Sequence, residues 1–264
     1  MVSLDYLSPL RSELKLKVLL SLLGRERKIA DLRASLETRD TTILHILEEF
    51  DDLNLTTKEQ GVYRLSSLGL IEARIFKEVI STSEVIEKFK DFWLSHNVAD
   101  IPPHLLLNLG ALSSASLVCA EAAELGVVHN TFLENIKTSK RIKGISPIFH
   151  RDFTSLFGQL LEQGCTIELI VSGNVLKKIM DSVDLESVKK YLVTEALKIF
   201  LRDDVKIALA LTESSFSLGL FGLSGMYDDT MDLLSTSAQA IEWGEHLFEE
   251  VVKNSKRIGL EPLV

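Results

Sequence analysis

The sequence predicts an α+β and α/β protein in two parts. These are an N-terminal winged helix-turn-helix joined by a helical linker to a C-terminal α/β domain, a mixed sheet flanked by helices. Three observations carry this expectation. Two short amphipathic segments, KIADLRASLE and TRDTTILHILEEF, are followed at once by a hairpin-like run, LNLTTKEQGVYRLS. From Arg141 onward, β-rich runs alternate with helical ones at a spacing that suits right-handed crossovers between parallel strands. Between the two styles, Asp100-Ile101-Pro102-Pro103 breaks the chain. The expected bounds are residues 1–80 for the winged helix, 81–103 for the linker and 104–264 for the α/β domain.

Ser8-Pro9 opens the first helix, with Ser as its cap and Pro at its first position, and Gly24 closes it after the ridge Leu10, Leu14 and Val18. In the next helix Ile29, Leu32 and Leu36 recur at helical spacing. The third places Ile43, Ile46, Leu47 and Phe50 on one stripe. Its opposite side then presents Thr41, His45, Glu48 and Asp52, with Arg39 and Thr42 at the N-terminal end. A hairpin turning at Lys58–Gly61 completes the order helix, helix, two strands, in which the second helix enters a DNA major groove. Thr41, Thr42 and His45 are therefore candidate base contacts, and Arg39 and Lys58 candidate contacts to phosphate or the minor groove. Arg27, Lys28 and Arg64 complete the candidate face. Residues 1–80 are nearly neutral, so these cations must gather on one side. The net charge of −9 rests almost wholly on residues 81–264, which should face away from DNA.

Ser66 caps a further helix through Ile71, Ile75 and Val79, and another is expected from Ser83 to His96 with Val85, Ile86, Phe89, Phe92 and Trp93. This apolar surface is wider than one neighbour covers, and it suggests a homodimer seam between Leu70 and Trp93; a core-facing helix is the competing reading. Residues 104–140 read as a helix, a short apolar piece at Ser116–Cys119, and a helix through Leu125, Phe132 and Ile136. Four β-rich runs follow: RIKGISPIF, CTIELIVSG, ALKIFLRD and VKIALALT. The helical RDFTSLFGQLLEQG lies between the first two, and helical pieces at Val175–Met180 and Leu185–Thr194 lie between the second and third. The apolar runs ELIV and KIALALT suit strands covered on both faces. KIALALT, SSFSLGLF and MDLLS are close enough to pair antiparallel, and a last amphipathic helix runs from Ala238 to about Lys256. Trp243 in it reads as a core anchor.

With 264 residues, 46% hydrophobic and 25% charged, the composition is that of an ordinary globular protein. No apolar run is long enough for a membrane span, and the N-terminus lacks a signal-peptide layout, so the expected compartment is the cytoplasm. Cys119 and Cys165 read as buried thiols. No histidine stands at metal-ligand spacing or two residues before a lysine, and no phosphate-binding or nucleophile-elbow motif occurs. Neither catalysis, a metal nor a cofactor is expected, and Asp228, Asp229 and Asp232 read as a solvated turn. A small-molecule effector suits the polar residues at strand ends, because ligands of α/β sheets bind beyond the C-terminal ends of parallel strands. That rule selects Ser146, His150, Ser172 and Thr212, with Ser217 and Tyr227 beside them, for a small ligand of polar or mixed character. Gly219, Gly222 and Gly225 could equally do no more than shape turns.

Two sets of phrases carry a resemblance. TRDTTILHILEEF followed by GVYRLSSLG resembles the recognition helix, wing and exit helix of archaeal winged-helix regulators. SKRIKGISPIFH (139–150), SFSLGLFGLSGMYD (215–228) and AIEWGEHLF (240–248) resemble the sensor domain of the methanogenesis-regulator, or filament-regulator, middle-domain family. Over residues 10–256 the order of blocks matches as well. The resemblance implies a transcriptional regulator with an N-terminal winged helix and a C-terminal α/β domain. The leading reading is a homodimer that binds double-stranded DNA and whose α/β domain senses a small molecule or mediates dimerisation. The alternatives are a winged helix that binds protein, and an α/β hydrolase-type enzyme.

Overall fold

The computed structural model divides into two compact units, Met1–Ser83 and Glu84–Val264. It describes residues 7, 9, 11–119, 136–149 and 151–259, the last stretch with side chains from Phe153 onward. The expected Ser8 cap, His150, Leu125 and Phe132 lie outside the described residues.

In the first unit α1 (Glu13–Ser21) is capped by Ser12, whose Oγ accepts from the Lys15 N–H at 3.4 Å. A short strand β1 (Arg27–Lys28) leads into α2 (Ile29–Leu36) and α3 (Asp40–Asp52). The hairpin is β2 (Thr56–Glu59) and β3 (Val62–Leu65). Gln60 and Gly61 both take positive φ, 49° and 79°, the geometry of the two-residue turn whose twist matches antiparallel strands. The wing is three-stranded rather than two, because β1 pairs with β3 through Arg27–Tyr63 and Lys28–Val62. The expected stripe of α3 is the core: Ile43, Ile46, Leu47 and Phe50 are buried with Val18, Leu19, Leu32, Leu55 and Tyr63.

Ser66 caps α4 as expected, its Oγ accepting from the Gly69 N–H at 3.0 Å. The helix does not stop near Val79, however. It runs unbroken over Ser67–Lys88, because Ser81 and Ser83 return their hydroxyls to the Lys77 and Val79 carbonyls and stay compatible with helix. A short α5 (Lys90–Ser95) follows. Phe89 and Phe92, open in sequence to a seam or to a core, are buried in the core of the second unit, as are Val85 and Ile101 from the stretch read as linker.

The second unit continues with α6 (Pro103–Leu106), a 3-10 turn at Leu109–Leu112 and strand β4 (Ser116–Cys119). Next come β5 (Arg141–Ser146), α7 (Arg151–Glu162), β6 (Thr166–Val171), α8 (Gly173–Met180), α9 (Leu185–Val193) and β7 (Leu197–Leu201). The chain ends in β8 (Ile207–Leu211), β9 (Phe216–Phe221), β10 (Tyr227–Ser235), α10 (Ala238–Lys253) and β11 (Lys256–Arg257). One mixed sheet takes the order β11-β7-β6-β5-β8-β9-β10-β4. β5, β6 and β7 are parallel; β8 pairs antiparallel with β5, and β9, β10 and β4 continue antiparallel.

Strand alternation sorts the sheet into two faces. One carries Ile145, Ile170, Phe200, Ile207, Leu209, Leu211, Phe216, Leu218, Leu220 and Leu233, packed with Trp243, Leu247 and Phe248 of α10. The other carries Ile142, Ile167, Leu169, Val171, Leu197 and Ile199, packed with residues of α7, α8 and α9. Trp243 is the expected anchor: it is 1% exposed, and its Nε1 donates to the Leu105 carbonyl at 3.0 Å.

Candidate functional site

The first site is the outer side of α3 with the wing. Burying Ile43, Ile46, Leu47 and Phe50 leaves Thr41, His45, Glu48 and Asp52 exposed on α3. Thr42 is half-buried one residue nearer the core. Arg39 is the residue before the helix, exposed and without an ion-pair partner among the described residues. Lys58 is exposed on β2, its Nζ 5.3 Å from the centroid of the Tyr63 ring across the ladder. Arg64 is exposed but held along the wing, its Nε donating to Thr57 Oγ1 and its Nη2 meeting Glu59, both at 3.1 Å. Lys28 is exposed, and its N–H donates to Asp31 Oδ2 at 3.0 Å to close the first turn of α2. Arg27 is different. Its side chain is half-buried and its Nε donates to the Ser21 carbonyl at 3.0 Å, which makes it a strut between α1 and the wing.

The second site is a cavity of about 610 Å³ in the second unit. It lies on the sheet face away from α10, and its lining runs from Leu197 on β7 to Asp232 on β10. That face is hollow because of which residues alternate onto it. Ala208, Gly219 and Asp232 stand in one cross-strand row, and Gly144, Ala210 and Ser217 in the next. Small side chains there leave room where the opposite face has Leu and Phe. Gly219 is not a turn residue; a Cβ on it would collide with Asp232 Oδ1 and the Tyr227 hydroxyl, so glycine lets those two groups approach the strand. Gly225, with φ +83°, does shape the following turn.

Of the strand-end residues, Ser146, Ser217 and Tyr227 line the cavity. Ser172 and Thr212 do not. Ser172 caps α8, its Oγ accepting from the Val175 N–H at 3.3 Å. Thr212 is buried in the β8–β9 turn, where Oγ1 accepts from the Ser214 and Ser215 N–H groups at 3.1 and 2.9 Å. The strand-end rule selected them, but local capping consumes their hydroxyls.

Asp232 is the residue that sequence reading missed. Taken there as part of a solvated turn, it sits inside β10, 6% exposed, in the cavity wall. Ser217 Oγ donates to its Oδ2 at 2.9 Å, while its Oδ1 has no hydrogen-bond partner. Burial pushes its carboxyl up to about 6, against the stabilising hydrogen bond from Ser217, and the nearby Asp228 charge adds to the rise. The same burial, with the carboxylates of Asp232, Asp229 and Asp228, raises the Tyr227 phenol. Asp228 is paired instead: His96 Nε2 lies 3.1 Å from its Oδ2, with His96 itself buried. A signal was present in the sequence. KIALAL and SFSLGL alternate small with large residues, the pattern of strands with one packed and one open face.

Among the described residues no group of His, Cys, Asp and Glu could hold a metal ion, and no helix is long and apolar enough to cross a membrane. Cys165 is buried as expected, and burial pushes its thiol up to about 11. Cys119 is exposed, because the last residue of edge strand β4 lacks a covering element among the described residues.

Residues 8–84 match the N-terminal domain, and residues 127–254 the middle domain, of the methanogenesis regulatory protein FilR1. The chain is 32% identical over 252 residues to that protein from Methanothrix harundinacea (strain 6Ac), across 94% of this chain and 56% of the relative. It therefore spans about half the length of the curated relative it matches. Two solved structures are distantly alike. TrmBL2, described as an archaeal chromatin protein with a novel mode of DNA binding, is 10% identical with a TM-score of 0.45, over 95% of this chain and 98% of that one. Phosphatidylserine synthase of Haemophilus influenzae Rd KW20 is 15% identical with a TM-score of 0.42, over 84% and 48%. Neither likeness is close enough to bear on function.

Proposed function

We propose that this chain, a homologue of methanogenesis regulatory protein FilR1 through that protein's N-terminal and middle domains, is a DNA-binding transcriptional regulator. One observation carries the reading: a helix amphipathic along its whole length turns Thr41 and His45 outward directly before a tight-turned wing. Hydroxyl and imidazole groups on such a face can read base edges, and the unpaired Arg39 and the exposed Lys58 suit phosphate. Arg27 is not counted among the contacts, since the Ser21 carbonyl holds it. In this reading residues 1–80 bind DNA, and residues 104–264 hold an effector in the cavity.

Pairing of two chains follows from half-site recognition, and α4 offers the surface. Ile71, Ile75 and Val79 stand exposed at one-turn intervals along it, Ile71 at 58%. Ile75→Glu is expected to shift a micromolar sample from dimer to monomer in light scattering. Phe89→Glu cannot serve as that test, because Phe89 is buried and its loss would unfold the second unit.

Fluorescence anisotropy with a labelled duplex from upstream of its own gene, titrated over salt, tests the DNA reading. Affinity should fall steeply with salt, and Arg39→Ala or Lys58→Ala should each weaken binding and flatten the log–log slope by about one unit. Binding insensitive to salt, or unchanged in both variants, overturns it.

A further inference from the structure

We propose that the cavity takes an elongated cationic amphiphile, a molecule with an apolar chain and an amine head, and that the head docks on Asp232. The inference rests on the reading of the cavity as an effector site and names the ligand class. Three independent features point the same way.

First, shape. The lining spans β7, β6, β5, β8, β9 and β10, and at the usual strand spacing this is a slot about 20 Å or more long. A compact sugar or amino acid would leave most of it empty. Second, the wall. Away from Asp232 it includes Phe149, Phe153, Phe157, Ile179 and Tyr191, which match a hydrocarbon body. Third, charge. Among the described residues every charged side chain that lines the slot is acidic: Glu162, Asp184, Asp229 and Asp232. An anionic head, such as a fatty acid carboxylate, would meet only like charge, whereas an amine would meet attraction throughout.

Asp232 fixes where the head sits. It is 6% exposed and lines the cavity; Oδ1 is buried with no hydrogen-bond partner, while Oδ2 is already engaged by Ser217. A buried carboxylate oxygen left unpaired is costly, and an ammonium N–H from a ligand is the group that satisfies it in both hydrogen bonding and charge. Gly219 beneath it gives Oδ1 room against the strand.

The test uses the full chain and three probes of equal chain length, each below its micelle concentration: dodecylamine, dodecanol and dodecanoate. Isothermal titration calorimetry near pH 7.5 should show the amine binding about tenfold or more tightly than the carboxylate, with the alcohol between them. Asp232→Asn keeps the shape and should weaken amine binding and shrink the preference for amine, the other three carboxylates being kept, with dodecanol binding little changed. Ala208→Phe, which narrows the slot, should weaken all three probes together. Equal binding of amine and carboxylate, or an amine preference undiminished in Asp232→Asn, overturns the proposal. DNA affinity is measured on the same samples with and without dodecylamine. Asp232-dependent amine binding that leaves DNA affinity unmoved keeps the ligand class and defeats the sensor reading; an amine that binds nowhere defeats the ligand class and leaves DNA binding standing.

Discussion

The two faces of the second unit's sheet are made from the same strands and serve opposite ends. On the α10 side the alternating residues are Ile, Leu and Phe, and the covering helix comes so close that a Cβ on Gly244 would lie 2.5 Å from Leu211 and 2.8 Å from Phe216. On the other side the same strands contribute Gly144, Ala208, Ala210, Ser217 and Gly219, and a cavity of about 610 Å³ remains. A fixed period of two lets one strand fill a core and line a slot without compromise between them. The hollow side also holds the unpaired Asp232 Oδ1, a group that the packed side has no room to solvate or satisfy. Both faces carry a buried core, but only the face away from α10 also keeps open space, where β5, β8 and β9 contribute small residues.

If that division holds, truncations should cost unequally. Trp243→Ala removes a wholly buried side chain together with its hydrogen bond to Leu105, and is expected to cost about 3–5 kcal/mol in denaturant unfolding. Phe157→Ala, beside the cavity, removes contacts that are already incomplete and should cost less than half as much. Equal losses would mean that the slot collapses around its occupant in solution and that the faces are not distinct.

Asp232 gives a sharper comparison, because it is expected to oppose stability. Burial holds its carboxyl up at about 6, so the folded chain binds a proton more readily than the unfolded chain between about pH 4 and pH 6. Stability should therefore fall as pH rises through that window, and the full penalty, of order 2–3 kcal/mol, should be present above pH 6. Asp232→Asn removes it, raising Tm at pH 8 and flattening the wild-type minus variant difference below about pH 4. The groups around it are Ser217, Tyr227, Asp229, Asp228 and His96, of which the Asp228 carboxylate adds to the rise and Ser217 and His96 oppose it. A variant that is no more stable at pH 8 would show that water or another group already satisfies Oδ1.

Much of this was legible in the sequence. The α3 stripe, the wing turn, the parallel β5–β6–β7 order and the antiparallel return all follow from periodicity and turn residues, which are local signals. What was not legible depended on partners far along the chain. Asp232 looked like a surface carboxylate beside Asp228 and Asp229 because three acidic residues in five resemble a turn. Only the pairing of Asp232 with Gly219 and Val118 puts it inside the sheet. Ser172 and Thr212 failed for the reverse reason: their hydroxyls are used within three residues, by a cap and a turn. The continuity of α4 through Ser81-Thr82-Ser83 was hidden because those residues favour helix ends unless they bond backward, as Ser81 and Ser83 do here.

The smallest expected effect is also the most direct comparison, since it makes one substitution on each side. Gly244 in α10 and Gly158 in α7 are both helical, so replacing either by Ala gains about 1 kcal/mol of helix propensity. At Gly244 the new methyl meets the Leu211 and Phe216 side chains at distances that force both to move, and overpacking of about 1–3 kcal/mol outweighs the gain. At Gly158 nothing lies within 4 Å of the new methyl, so the gain stands. Gly244→Ala should lower Tm and Gly158→Ala should raise it by a few degrees. The pair shares chemistry, secondary structure and sheet, leaving the density of the facing layer as the variable. Two shifts of the same sign would remove the distinction between a packed face and an open one.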